Sequence, residues 1–126
     1  MTSVIGLIWS VRTLRVMTWC CVVALAVLSL LPGDEIVRTG LPRRLEHVVA
    51  YVGSAAIAML GYGRSFVAVR MIGCFWFYAA ALEYLQNFSP GRDAEIADFL
   101  ASALGVVLGA LGVLLLRTHL LRLLPR

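Results

Sequence analysis

The sequence predicts an all-α polytopic membrane protein, folded as a four-transmembrane-helix bundle. The chain of 126 residues is 61% hydrophobic, whereas soluble domains are about 45–50% apolar. The excess is concentrated in four blocks, at 16–31, 48–60, 71–82 and 99–116. Backbone groups in lipid must be satisfied internally, so blocks of this length are expected to be helices. They leave no room for a soluble domain, and we expect one membrane domain covering 1–126.

Turn residues divide the four blocks into helices near 13–31, 45–62, 66–87 and 96–116. Pro32 and Gly33 end the first helix. Pro42 suits the start of the second, because proline is tolerated where a helix begins. A glycine-rich turn around Gly63 precedes the third helix, and 89–91 (Ser-Pro-Gly) separates the third from the fourth.

Small and polar residues recur at helical spacing, which predicts the packing faces. Small residues at this spacing let membrane helices approach closely. The fourth helix carries such a stripe at Asp98, Ser102, Gly105, Gly109 and Gly112. The second helix carries one at His47, Tyr51, Ser54 or Ala55, and Ala58. On the third helix we expect a shared face of Gly73, Ala80, Glu83 and Gln86.

The arginines predict the orientation. With a cytoplasmic N-terminus, seven would lie inside and four outside: Arg12, Arg15, Arg64, Arg70, Arg117, Arg122 and Arg126 against Arg38, Arg43, Arg44 and Arg92. The positive-inside rule then favours a multi-pass protein of the cell inner (plasma) membrane with both termini cytoplasmic. The net charge of +4 is explained by this topology. Nucleic acid is not an expected partner, because the basic residues are dispersed.

The segment 83–98 holds the densest group of polar residues between two apolar blocks. Glu83, Gln86, Arg92 and Asp98 meet there at one membrane face, and His47 is expected at the same end. Charges at this depth are costly and therefore mark candidate sites. Glu83 and Asp98 are candidates for a general acid and base, with His47 as a proton carrier. The alternative is that both carboxylates only accept structural hydrogen bonds.

Arg92 has two interpretations. A guanidinium binds phosphate or carboxylate in a fork, so Arg92 is a candidate clamp for an anionic ligand. It can equally form a structural pair with Glu83 or Asp98. A metal site of His47, Glu83 and Asp98 is conceivable from the residue types. Because the sequence has no HExxH or paired-histidine spacing, we expect neither a metal nor a cofactor.

At these residues the chain resembles the VanZ-like membrane proteins, named after a protein associated with teicoplanin resistance. The residues that match the family pattern, within about 44–112, are Arg44-x-x-His47, Tyr51, Glu83-x-x-Gln86, Phe88, Pro90-x-Arg92, Asp98 and Gly105-x-x-x-Gly109. The resemblance implies an integral protein of the cell envelope and adds Arg44 and Tyr51 to the candidate site. The chain departs from the pattern twice: Arg43 replaces an acidic residue, and Ser102 replaces an asparagine.

Three function classes follow, and whether the chain is an enzyme stays open. The first is binding of an anionic amphipathic ligand outside the cytoplasm, with a contribution to antibiotic resistance. Its ligand would be a lipid-linked cell-wall precursor or a glycopeptide. The second is an accessory protein whose polar residues serve only the fold, and the third is a membrane enzyme that uses Glu83 and Asp98 on a lipid-linked substrate. Membrane lipids are expected partners, and a homo-oligomer is an open alternative to a single copy.

Overall fold

The computed structural model describes residues 10–36, 39–63 and 65–123. Its helices are α1 (Val11–Leu30), α2 (Arg43–Tyr62), α3 (Ser65–Gln86) and α4 (Ile96–Leu123). All four are long and apolar enough to cross a membrane. The predicted all-α membrane fold and its helix order are therefore confirmed.

The helices alternate in direction. Contacts join the C-terminal end of α1, the N-terminal end of α2, the C-terminal end of α3 and the N-terminal end of α4. We call this the polar end. At the opposite end, Arg15 of α1 and Arg117 of α4 both donate to carbonyls at the C-terminal end of α2. The most extensive packing is between α2 and α4, followed by that between α1 and α2.

Two glycines set the distance between α2 and α4. A Cβ atom added to Gly105 would lie 2.5 Å from the carbonyl oxygen of Val48, and one on Gly109 would lie 2.4 Å from that of Val52. Real Cβ atoms essentially never come this close, so only glycine fits there without a shift of the backbone. The predicted stripe is confirmed at these two positions. Gly112 differs, because a Cβ there would meet no atom within 4 Å.

The face predicted for α3 is wrong at two positions. Gly73 and Ala80 are exposed, while α3 packs into the core mainly through Phe75, Ala79 and Leu82. Only the polar part of the predicted face, Glu83 and Gln86, is buried. Small residues facing lipid carry no penalty, so their spacing alone does not identify a buried face.

The helix bounds agree with the predicted ones within two residues except at the end of α4. That helix continues to Leu123 instead of ending near 116, because no helix-breaking residue interrupts 117–123. Arg117 lies within this extension and donates to the carbonyl oxygens of Gly63, at 2.5 Å, and Met59, at 2.9 Å. Arg38, Arg64 and Arg126, three of the arginines on which the predicted orientation depends, lie outside the described residues.

We predict that Gly109→Ala destabilises the protein and that Gly112→Ala does not. The added methyl at 109 would overlap the backbone of α2, which costs about 1–3 kcal/mol. At 112 the methyl enters open space and helix propensity improves. Thermal unfolding in detergent, followed by circular dichroism, measures both variants. Equal melting temperatures for the two would contradict a glycine-dependent contact between α2 and α4.

Candidate functional site

Six polar side chains from three helices meet inside the polar end. We call them the polar cluster: Arg43, His47, Glu83, Gln86, Asp98 and Ser102. Four of them are almost fully buried, with exposures of 7% for Glu83, 1% for Gln86, 0% for Asp98 and 2% for Ser102. The cluster begins at the helix ends and reaches about 10 Å inward, given a rise of 1.5 Å per residue. Burial of this much polar and charged surface within an apolar bundle requires internal partners.

Arg43 is the residue that links the three helices. Its Nε lies 2.6 Å from Asp98 Oδ2, and an Nη atom donates to Gln86 Oε1 at 3.2 Å and to the Asp93 carbonyl at 3.0 Å. The guanidinium also lies 4.0 Å from Glu83 Oε1. One arginine therefore faces two buried carboxylates, and removing it would leave them without their counter-charge.

Glu83 joins α3 to the start of α4. Its Oε1 accepts a hydrogen bond from the backbone N–H of Glu95, 2.8 Å away. That N–H precedes the first turn of α4, where backbone donors lack partners and negative charge is favoured. The carboxylate at the start of α4 is thus supplied by another helix.

The hydrogen bonds of Ser102 define the protonation pattern of His47. Ser102 has one hydroxyl proton, which it donates to the carbonyl of Asp98 at 3.0 Å. His47 Nδ1 lies 3.0 Å from the same hydroxyl oxygen, which must then accept. Nδ1 therefore carries a proton, and in the neutral ring Nε2 keeps a lone pair.

The three candidate acid–base residues come together as expected. A ring nitrogen of His47 and one carboxylate oxygen each of Glu83 and Asp98 lie within 4.8 Å of one another. Asp98 Oδ1 is buried and accepts no hydrogen bond within the part of the chain that the structure describes. Tyr51 is buried in the hydrophobic core one turn deeper, and its side chain also interacts with Ser102 of the polar cluster.

Arg92 lies at the same polar end but contacts the last turn of α1. One of its Nη atoms donates to the carbonyls of Leu28, at 2.7 Å, and Ser29, at 3.0 Å. Ser89 Oγ donates to the carbonyl of Leu30 at 3.0 Å. The loop between α3 and α4 thus satisfies carbonyls at the end of α1 that have no partner within their own helix.

Arg43 belongs to the polar cluster although it was not among the candidate site residues. Its position departs from the family pattern, and the motif points to Arg44 instead. Helical spacing offered a signal, because residues 43, 47 and 51 are four apart and share one face. Ser102, the other departure, is also in the polar cluster through His47.

No protein-family model matches the chain, and comparison with curated proteins and with solved structures finds no match either. The resemblance to the VanZ-like proteins therefore stays a prediction from the motif residues.

We predict that Arg43→Ala strongly destabilises the protein and that Arg44→Ala does not. Removing one partner of a buried ion pair costs about 3–5 kcal/mol. The Arg44 side chain is 67% exposed and its nearest carboxylate oxygen, on Glu95, is 3.7 Å away, so its loss costs about 0–1 kcal/mol. Thermal unfolding of both variants in the same detergent provides the comparison.

The double variant Arg43→Ala/Asp98→Asn tests the cause. Neutralising Asp98 removes the unpaired charge, so the double variant is expected to be more stable than Arg43→Ala alone. A double variant that is less stable would show that Arg43 acts on the fold through other contacts.

Proposed function

We propose that this chain is a VanZ-like protein of the cell envelope that binds the anionic head of an amphipathic ligand at the polar end. The ligand class is a lipid-linked cell-wall precursor or a glycopeptide antibiotic, and binding it would contribute to antibiotic resistance. The buried polar cluster supports a ligand site in general, because ionisable groups in membrane spans are costly and tend to be functional.

The observation that carries the anionic specificity is the position of Glu95. Its two carboxylate oxygens lie 3.9 Å from Arg43 Nη1 and 3.7 Å from Arg44 Nη2. We call Arg43, Arg44 and Glu95 the arginine rim. Its side chains are 31%, 67% and 50% exposed. Both separations exceed a good charge-assisted hydrogen bond, so the pairs with Glu95 are weak. A phosphate or carboxylate head would replace Glu95 between the two guanidiniums.

An apolar tail has a surface next to the arginine rim. Leu45 follows Arg44 and Ile96 follows Glu95, and both side chains are exposed, at 44% and 79%. Val49 and Leu100 continue the exposed apolar surface one turn along each helix. A ligand with its head at the rim would lay its tail along α2 and α4 in the lipid phase.

The geometry favours Arg43 and Arg44 over Arg92 as the residues that bind the head. Arg92 donates two hydrogen bonds to carbonyls of α1, which supports the structural interpretation of that residue. Gln86 contributes indirectly by accepting from Arg43.

Acid–base catalysis is the second candidate, favoured by the proximity of His47, Glu83 and Asp98. It ranks below binding because Asp98 has no exposed surface and lies behind Arg43. A membrane enzyme would lose turnover in Asp98→Asn and keep its bound lipid. If the polar cluster is purely structural, variants of its residues would lose bound ligand only when they also lose stability.

Native mass spectrometry of the purified protein tests the binding proposal. We expect wild type to retain an anionic or polyprenyl lipid and Arg44→Ala to lose most of it while keeping its melting temperature. Arg12→Ala is the matched control, because Arg12 is an exposed arginine at the opposite end and should leave retention unchanged. Equal retention by all three proteins, or equal loss in both variants, would count against the arginine rim.

The proposed site faces away from the cytoplasm, in an inner membrane with both termini cytoplasmic. Fusions after residue 126 in a bacterial host test this orientation. A C-terminal green fluorescent protein should fluoresce and a C-terminal alkaline phosphatase should be inactive, because each folds on one side only. The reverse pattern would turn the polar end towards the cytoplasm.

A further inference from the structure

We infer that His47, Glu83 and Asp98 form a binding site for a first-row divalent metal ion. This inference goes beyond the proposed binding of an anionic ligand and does not rest on it. The set offers one imidazole nitrogen and two carboxylate oxygens, within 4.8 Å of one another. Side-chain rotations would have to bring these atoms closer, since ligand atoms about 2.0–2.2 Å from one ion lie nearer together than that.

The first supporting observation is the unused acceptor capacity of Asp98. Its side chain has no exposure, yet Oδ1 accepts no hydrogen bond from any described residue. Arg43 lies against the other oxygen, Oδ2, at 2.6 Å. A buried carboxylate oxygen without a donor is costly, and a metal ion at Oδ1 would remove that cost.

The second observation is the orientation of His47. Its Nδ1 donates to Ser102 Oγ, whose own proton goes to the Asp98 carbonyl. Metal-binding histidines commonly use one ring nitrogen for such a second contact and the other for the ion. Nε2 is then the nitrogen with a lone pair available, and Ser102 is a positioning residue.

Glu83 also has an oxygen to offer. Oε1 accepts from the N–H of Glu95, and no described residue donates to Oε2. The buried part of the polar cluster therefore holds two carboxylates against one guanidinium, and a cation would balance the remaining negative charge. One nitrogen and two oxygens suit Zn²⁺, Mn²⁺, Fe²⁺ or Co²⁺ better than Mg²⁺ or Ca²⁺, which prefer oxygen ligands alone.

Metal titration of the full chain in detergent tests the inference. Isothermal titration calorimetry with Zn²⁺ and Mn²⁺ should give about one site per chain, and Co²⁺ should produce visible absorption bands from a nitrogen- and oxygen-ligated ion. We expect His47→Ala and Asp98→Asn to weaken the affinity at least about 100-fold and Ser102→Ala to weaken it about 10-fold. Mg²⁺ in tenfold excess should not compete.

Two matched control variants test whether the loss of affinity is specific to the proposed ligands. His119→Ala removes the other of the chain's two histidines, and Glu35→Gln neutralises an exposed carboxylate at the same end of the bundle that is outside the proposed ligand set. Both should bind metal as wild type does. Circular dichroism and gel filtration identify variants that fail to fold. If His47→Ala and Asp98→Asn fail to fold, Ser102→Ala supplies the test, because it removes no charge.

The inference is overturned if wild type shows no site of about one ion per chain. It is also overturned if His119→Ala or Glu35→Gln lowers the affinity as much as His47→Ala or Asp98→Asn, or if folded Ser102→Ala binds with wild-type affinity. Lipid retention by Arg44→Ala, measured separately by native mass spectrometry, shows whether the arginine rim binds an anionic lipid. This result does not depend on whether the metal site is found.

Discussion

The close approach of α2 and α4 at Gly105 and Gly109 positions the other groups of the bundle. The two backbones lie so close at these glycines that a Cβ atom would overlap a carbonyl oxygen of α2. Residues of α2 and α4 one and two turns nearer the polar end are therefore also in contact. His47 reaches Ser102, and Arg43 reaches Asp98. The packing contact and the polar cluster are thus two parts of one interface.

Arginines satisfy carbonyl groups at the C-terminal ends of α1 and α2. Arg92 supplies donors to the last turn of α1, while Arg15 and Arg117 supply them to the last turn of α2. Neither helix has a basic residue in its own last turn. Carbonyls at a helix end near lipid need a partner, and a long side chain from a neighbouring helix or loop provides one. The Arg92 contact also holds the loop between α3 and α4 against α1, and the Arg117 contact holds Gly63, which follows α2, against α4.

The two departures from the VanZ-like pattern share one environment. Arg43 and Ser102 lie on facing helices and contact Asp98 and His47. Arg43 places a positive charge next to Asp98, and the single hydroxyl of Ser102 orients the imidazole of His47. The chemistry of this polar end therefore depends on these two residues as well as on those that match the pattern.

The sequence by itself determined the fold class, the helix order and the close packing of α4 at Gly105 and Gly109, because apolar block length and small-residue spacing are local properties. It also brought Glu83, Asp98 and His47 to one end. Only the tertiary structure decided which arginine pairs with them and which face of α3 is buried. In lipid, buried and outward faces are both apolar, so spacing does not separate Phe75 from Gly73. Partner choice between Arg43 and Arg92 depends on helix rotation and loop path, which local sequence does not encode.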